Sequence, residues 1–292
     1  MYGMYRLVRD LRTAMNDDSD RTWPFERKVR AIEAAFANLE EQGVLDSKTD
    51  TSLWTNEYKF LFPLPADCKP GRVYAIHMEG DCSTDPPKSI MQWEIEAQGQ
   101  TNYLALREAY YASHRLRISY QAPYQVPARF TTANAAISAA ATSAPLNYVS
   151  DWNTPGFFQI WPATSTDHGE TVYVGAKSAS NVIALTNRAI EGAASAFAAG
   201  STVGPAVDIP DAVKECVLLY AQAECWAMRQ AASSRSQYLQ NYANLELKVR
   251  RQYNDRVHKL RTRPMVLRQF NDPRRIQAGN TVPTTYRDYM RK

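Results

Sequence analysis

Between Tyr238 and Leu260 the residues Tyr238, Tyr242, Leu245, Val249, Tyr253, Val257 and Leu260 recur at spacings of 4, 3, 4, 4, 4 and 3. That period commits the stretch to one long amphipathic helix. About 25 residues rising 1.5 Å each make it roughly 37 Å long, so the chain must supply an apolar surface of matching length. The opposite face carries Lys248, Arg251 and Lys259, and Arg263-Pro264 ends the pattern. A helix preceding it opens around Asp208-Ile209-Pro210-Asp211 and offers Val213, Cys216, Val217, Tyr220, Cys225 and Met228 to a core. Two more helices are expected at the N-terminus. Met4, Leu7, Val8, Leu11 and Met15 share one face of the first, and Phe25, Val29, Ile32, Phe36 and Leu39 share one face of the second. Gly43 stands where a left-handed residue ends a helix.

In the middle of the chain the period changes to two. Alternation over 57–64, 72–79, 91–97, 103–106 and 115–121, with turn signals such as Lys69-Pro70-Gly71 between, predicts an antiparallel meander of about five strands. From Pro127 to Asp208 the composition shifts to Ala, Ser, Thr and Gly. A helix is expected over Thr131–Thr142, followed by strands at Leu146–Val149, Phe157–Trp161, Thr171–Val174 and Val182–Leu185. The fold expected is α+β: a helical body (N-terminal helix pair plus long C-terminal helices), a small antiparallel meander and an inserted small β domain. Residues 1–127 with 208–262 would form the discontinuous body, 128–207 the inserted module, and 263–292 an extended basic docking tail.

The net charge of +4 conceals an asymmetry. Leu245–Lys292 holds thirteen Lys/Arg against four Asp/Glu, a net of +9, leaving −5 over the other 244 residues. A basic end on an acidic body suits a polyanion or an acidic protein surface. No apolar run reaches the roughly 20 residues that cross a bilayer, and the charges Arg6, Arg9, Asp10 and Arg12 within Met1–Met15 are foreign to a signal peptide. The cysteines at 68, 82, 216 and 225 form no CxxC pair and read as reduced thiols of a protein assembled in cytoplasm.

The search for chemistry finds none of the phosphate-loop, dinucleotide, nucleophile-elbow or zincin motifs. Cys68, His77 and Cys82 could converge on a metal, but nothing fixes a fourth ligand. Asp167-His168-Gly169-Glu170 reads as a hairpin turn. No catalytic, cofactor or metal residues are assigned, and the expectation is a non-enzyme. The aromatic content is more telling, with 17 Tyr and 6 Trp. Tyr238, Tyr242 and Tyr253 suit either a helix-on-helix core or a subunit interface.

Two stretches carry a resemblance. Tyr58-Lys59-Phe60-Leu61-Phe62-Pro63-Leu64-Pro65-Ala66-Asp67 follows a helix pair, leads to Leu116-Arg117-Ile118-Ser119-Tyr120, and is succeeded by Asp208-Ile209-Pro210-Asp211-Ala212-Val213 opening a helical C-terminus. This resembles the head-to-tail connector (adaptor or neck) proteins of tailed bacteriophages. Ala135–Thr142, Gly169–Val174, Thr186–Gly192 and Ala198–Val203 resemble a small β module of phage virion proteins, although Ala189 and Ala193 depart from its pattern. The resemblance implies a homo-oligomeric ring, most often of twelve subunits, in the virion neck beneath the portal. Its partners would be the portal protein, a downstream neck or tail protein, and double-stranded DNA in the channel, with no membrane and no cofactor. Arg263, Arg268, Phe270, Arg274, Arg275, Tyr286, Tyr289 and Arg291 would dock on the portal or a neighbouring subunit. Tyr238, Tyr242 and Tyr253 would line the ring interface, and Lys248, Arg251 and Lys259 the DNA channel. The alternative is another neck or tail-tube protein, or a surface module whose inserted β domain contacts capsid, fibres or host envelope.

Overall fold

The structure, a computed structural model, describes residues 1–17, 20–55, 60–69, 71–79, 87–99, 101–107, 113–149, 152–162, 169–178, 181–188, 190 and 193–260. In chain order the elements are β1 (Tyr2–Gly3), α1 (Met4–Met15), α2 (Phe25–Glu41), β2 (Asp46–Asp50), β3 (Leu61–Pro63), β4 (Val73–Met78), β5 (Lys88–Ser89), β6 (Trp93–Gln98), β7 (Thr101–Leu106) and β8 (Leu116–Ala122). They continue as β9 (Thr131–Thr132), β10 (Ser143–Pro145), β11 (Gly156–Trp161), β12 (Glu170–Lys177), β13 (Val182–Asn187), β14 (Thr202–Val207), α3 (Asp211–Ala232) and α4 (Ser236–Leu260).

Fourteen strands in three antiparallel sheets, against four helices, make the described chain largely β. This corrects the expected α+β fold built on a helical body with a small meander. Much of the difference lies in the small-residue region. The expected helix over Thr131–Thr142 is absent, because its backbone pairs at long range: β9 joins β14, Ala133 bridges Leu146, and Ile137 bridges Phe197. Tertiary pairing here overrides the helix propensity of alanine. A second source is β2, whose sequence Asp46-Ser47-Lys48-Thr49-Asp50 has no apolar alternation to read. It is an edge strand, where charge guards against unwanted pairing.

The chain forms two compact units, Met1–Val44 with Tyr124–Arg261, and Leu45–Pro123. The sequence division instead set 128–207 apart. That module belongs to the first unit because β1 pairs with β14, while the Gln159 amide accepts from the Gly3 N–H at 2.9 Å and donates to the Met1 carbonyl at 3.0 Å. An aromatic seam adds to this joint: Phe25 and Tyr5 each pack edge-on against Phe130, and Tyr5 tilts against Trp161.

In the helical part of the first unit, Leu7, Leu11, Ile32, Phe36, Val213 and Val217 lie in one core shared by α1, α2 and α3. Within it is a fully buried lysine. The Lys28 Nζ donates to the Asp17 carboxylate at 2.8 Å, the Asp17 carbonyl at 3.1 Å and the Asp20 carboxylate at 2.6 Å. Arg12 pairs with the other side of Asp20, and the second oxygen of Asp17 joins in holding the N–H groups of Thr22 and Trp23. The chain enters this cluster through Asn16, left-handed at φ 53°, with the Asp17 N–H bonded to the Arg12 carbonyl. Gly43 ends α2 in the same manner, at φ 76°, with the Val44 N–H on the Leu39 carbonyl.

The β part of the first unit is a closed barrel. Its strand order is β14-β11-β12-β13-β10, and β9 completes the circle by pairing β14 on one side, while on the other the Asn134 N–H donates to the Pro145 carbonyl and the Thr132 carbonyl accepts the Asn147 N–H. Alternate residues point inward, including Phe158, Ile160, Val172, Val174, Ile183 and Leu185. Two segments cross at one end with matching backbone hydrogen bonds, although Gly200 is left-handed at φ 85° where Ala140 is not: Ile137-Ser138-Ala139-Ala140-Ala141-Thr142-Ser143-Ala144-Pro145 and Phe197-Ala198-Ala199-Gly200-Ser201-Thr202-Val203-Gly204-Pro205. Ile137 and Phe197 exchange backbone hydrogen bonds of 2.8 Å, and Ala141 N–H to Ser138 O at 3.0 Å matches Ser201 N–H to Ala198 O at 3.2 Å. Buried Glu170 and half-buried Arg188 form a bidentate pair beneath the crossing; Arg188 also donates to the carbonyls of Ser138 and Ser195, and Glu170 accepts the Ser195 N–H. Glu170, expected in a turn, is thus a buried structural acid.

In the second unit the sheets β2-β8-β4-β5 and β3-β7-β6 share a core of Phe62, Ile76, Leu104, Leu116 and Ile118.

The Lys28 cluster makes a pH prediction. Burial alone would raise the carboxyls of Asp17 and Asp20, but Lys28 with the Thr22 and Trp23 N–H groups, and Arg12 with Lys28, hold both below the usual carboxylate range. Their contribution is complete above the unfolded carboxylate pKa of about 3.9 and is lost as pH falls below it. Urea midpoints should therefore fall on acidification below about pH 5. Asp17→Ala, which takes one of two carboxylates from a buried ammonium, should cost about 3 kcal/mol at neutral pH and flatten the acid dependence.

Candidate functional site

The helices α3 and α4 run antiparallel, joined by Ser233-Ser234-Arg235. Pro210 precedes α3 in extended conformation, and Asp211 lies in its first turn, where a negative charge complements the helix dipole. Contacts along the hairpin are ordered from base to tip. Arg256 pairs with Glu215, Arg250 with Glu224 at 3.0 Å and Glu246 at 2.7 Å, and Tyr253 packs edge-on against Tyr220 with ring centroids 5.3 Å apart. Tyr253 is 4% exposed, and its hydroxyl donates to Asn38 of α2 at 2.6 Å. Burial forces this inward place, so Tyr253 is a core residue and leaves the set expected to line a ring interface.

The outer surface of α4 is unpartnered among the described residues. Lys248, Arg251 and Lys259 are all exposed on it, with Asp255 between them. At 100° per residue these four positions fall within a strip about 80° wide. Leu245, 39% exposed, and Leu247, 52% exposed, stand on opposite sides of that strip. By its spacing Leu245 belongs to the expected apolar stripe, yet the structure leaves it exposed, and no sequence signal marks Leu247.

At the tip, Trp226 stacks on Tyr242 (5.7 Å, 22°) and Tyr242 on Tyr238 (6.2 Å, 21°). Arg229 lies 6.0 Å from the Tyr242 ring and Arg235 6.0 Å from that of Tyr238. Tyr238, Tyr242, Arg229 and Arg235, with Ala232, Ser233 and Ser234, border an open hollow of about 400 Å³. The structure therefore gathers Tyr238 and Tyr242, as the sequence grouped them, but with Trp226, Arg229 and Arg235, which sequence reasoning missed. Their nearness is made by the turn, and only the paired residues Ser233-Ser234 hinted at it.

Arg263, Arg268, Phe270, Arg274, Arg275, Tyr286, Tyr289 and Arg291, expected to dock on the portal, lie outside the described residues. So does Cys82. Cys68 is buried, and its thiol is pushed up to about 11 by burial and by the nearby charges of Asp67 and Asp50. His77 pairs in the sheet with Ser89 and Arg117. Among the described residues no three His, Cys, Asp or Glu side chains are grouped to hold a metal, and no helix is long and apolar enough to cross a membrane.

No protein-family model matches the chain, and no curated protein matches it either.

The reassignment of Tyr253 is testable. Tyr253→Ala should destabilise the chain by about 3–5 kcal/mol, as for other large aromatic truncations in cores. Tyr238→Ala, at an exposed position, should cost no more than about 1 kcal/mol. Denaturant unfolding of both variants makes the comparison; equal losses would count against it.

Proposed function

We propose that the chain is a structural subunit of a tailed-phage neck, a head-to-tail adaptor that assembles into a ring below the portal and extends its DNA channel. The observation that carries this reading is the arrangement of α4. Its outward face has a basic strip in the middle and an exposed leucine on each flank. A closed ring needs heterologous contacts, in which two different surfaces of each subunit meet those of its neighbours. Leu245 and Leu247 supply apolar positions about 160° apart across that strip. Between them Lys248, Arg251 and Lys259 supply charge toward a polyanion, tempered by Asp255. Neutralising phosphates along double-stranded DNA requires such backbone-directed cations and no base stacking.

The sequence resemblance to connector proteins supports the same reading from separate residues. In this proposal the basic end of the chain, with Arg263, Arg268, Arg274 and Arg275, reaches an acidic portal surface. A downstream neck or tail protein binds the other side of the ring, and the work of the protein is geometric rather than catalytic.

Negative-stain microscopy and native mass spectrometry of the purified chain, alone and with portal, should show closed rings. Leu247→Glu should shift the chain to monomers without unfolding it. A chain that stays monomeric with and without portal counts against the ring. Deleting 264–292 should leave a folded protein that no longer joins heads in an assembly assay, and joining that survived the deletion would remove the docking role of the tail.

A further inference from the structure

We propose that the tip of the α3–α4 hairpin is a docking site for an acidic, extended peptide segment of a partner protein. The geometry stands apart from the ring reading and rests on the charge pattern of the hairpin. Along the shaft, Arg250 and Arg256 have carboxylate partners within the chain. At the tip, Arg229 and Arg235 are exposed and have none among the described residues; each lies instead over a tyrosine ring. Arg229 Nε also donates to the Tyr242 hydroxyl at 3.5 Å, which fixes the group and leaves its terminal nitrogens; a guanidinium held beside an aromatic ring in this way suits a carboxylate approached in its plane. The hydroxyls of Ser233 and Ser234 border the same hollow and can donate to a second carboxylate oxygen.

The hollow, about 400 Å³ and open, takes one or two side chains rather than a long polymer. Nucleic acid fits it less well for two reasons. The faces of Trp226, Tyr242 and Tyr238 are turned on one another, which leaves only the outer face of Tyr238, itself 46% exposed, as a platform for a base. A polynucleotide also calls for a row of cations tracking its backbone, whereas the tip has two. The occupant assigned is therefore a peptide with acidic residues on either side of an apolar or aromatic one, whose ring would lie on the outer face of Tyr238.

The test uses the full chain and a fluorescein-labelled peptide of six glutamates flanking one phenylalanine, with binding followed by anisotropy. The expected result is saturable binding, weakened by salt, and reduced about tenfold or more in the double variant R229Q/R235Q, the loss that charge-assisted hydrogen bonds produce. Tyr238→Ala should also weaken it. The control variant K88Q/R117Q, at exposed positions of the second unit, should bind as the native chain does. Circular dichroism of each variant reports that the helices are intact, and ring formation is read separately on the same samples. Absence of binding, equal loss in K88Q/R117Q, or tighter binding of a single-stranded oligonucleotide that the tip variants abolish would each overturn the proposal.

Discussion

A fully buried ammonium group governs the first unit. Lys28 could not remain charged in an apolar core without partners, since desolvation of an ion costs several kcal/mol even after relaxation. Two carboxylates and a carbonyl meet it, and one of those carboxylates also holds the N–H groups of Thr22 and Trp23. The turn between α1 and α2 is thereby fixed in one geometry. Trp23, placed by that turn, donates from its indole to the Cys225 carbonyl at 2.9 Å and meets Trp226 edge-on at 4.8 Å. Trp226 in turn carries the stacked Tyr242 and Tyr238. A chain of contacts thus runs from a buried charge in the N-terminal helices to the aromatic tip of the C-terminal hairpin, and the tip inherits its rigidity from a residue far away in sequence.

How much of this could be read from residues alone depended on the local pattern. The helical period placed α1, α2 and α4, because each buries one stripe against a neighbour and repeats it for three or more turns. Gly43 announced the end of α2 because the left-handed backbone there favours a residue without Cβ. The alternation in the second unit was equally plain in Leu116, Ile118 and Tyr120. The crossing segments of the barrel were illegible for the opposite reason. Alanine, serine and threonine at 131–145 and 193–205 carry little apolar contrast, and their structure comes from backbone bonds between residues that no local window contains. Balance between helix and strand was misjudged there, and with it the architecture.

For the site the limit was three-dimensional. Tyr238, Tyr242 and Tyr253 share one seam in sequence, yet α2 covers only the last of them, through Asn38. Glu170 read as part of a turn and Lys28 drew no reading at all; neither sequence neighbourhood reveals that the fold closes over them. Arg229 sits on α3 and Arg235 in the turn after it, and they border one hollow only because that three-residue turn reverses the chain. Leu245 keeps the helical period and is nevertheless exposed, while Leu247 falls outside the periodic set, and a count of hydrophobic residues notices neither.

The joint between Tyr2 and α3 has a consequence for how the protein comes into being. The Tyr2 hydroxyl bonds to Asp211, 209 residues later, and its ring is flanked by Arg6 and Lys214. The apolar faces of α1 and α2 likewise find their cover in α3. Domains emerge from the ribosome at about 5–20 residues per second, so the N-terminal helices wait on the order of 10–40 s for the segment that covers them. During that interval the Leu45–Pro123 unit can close on itself, while the helices ahead of it stay open to chaperones and to one another. Nascent chains of this protein therefore complete their middle before their beginning.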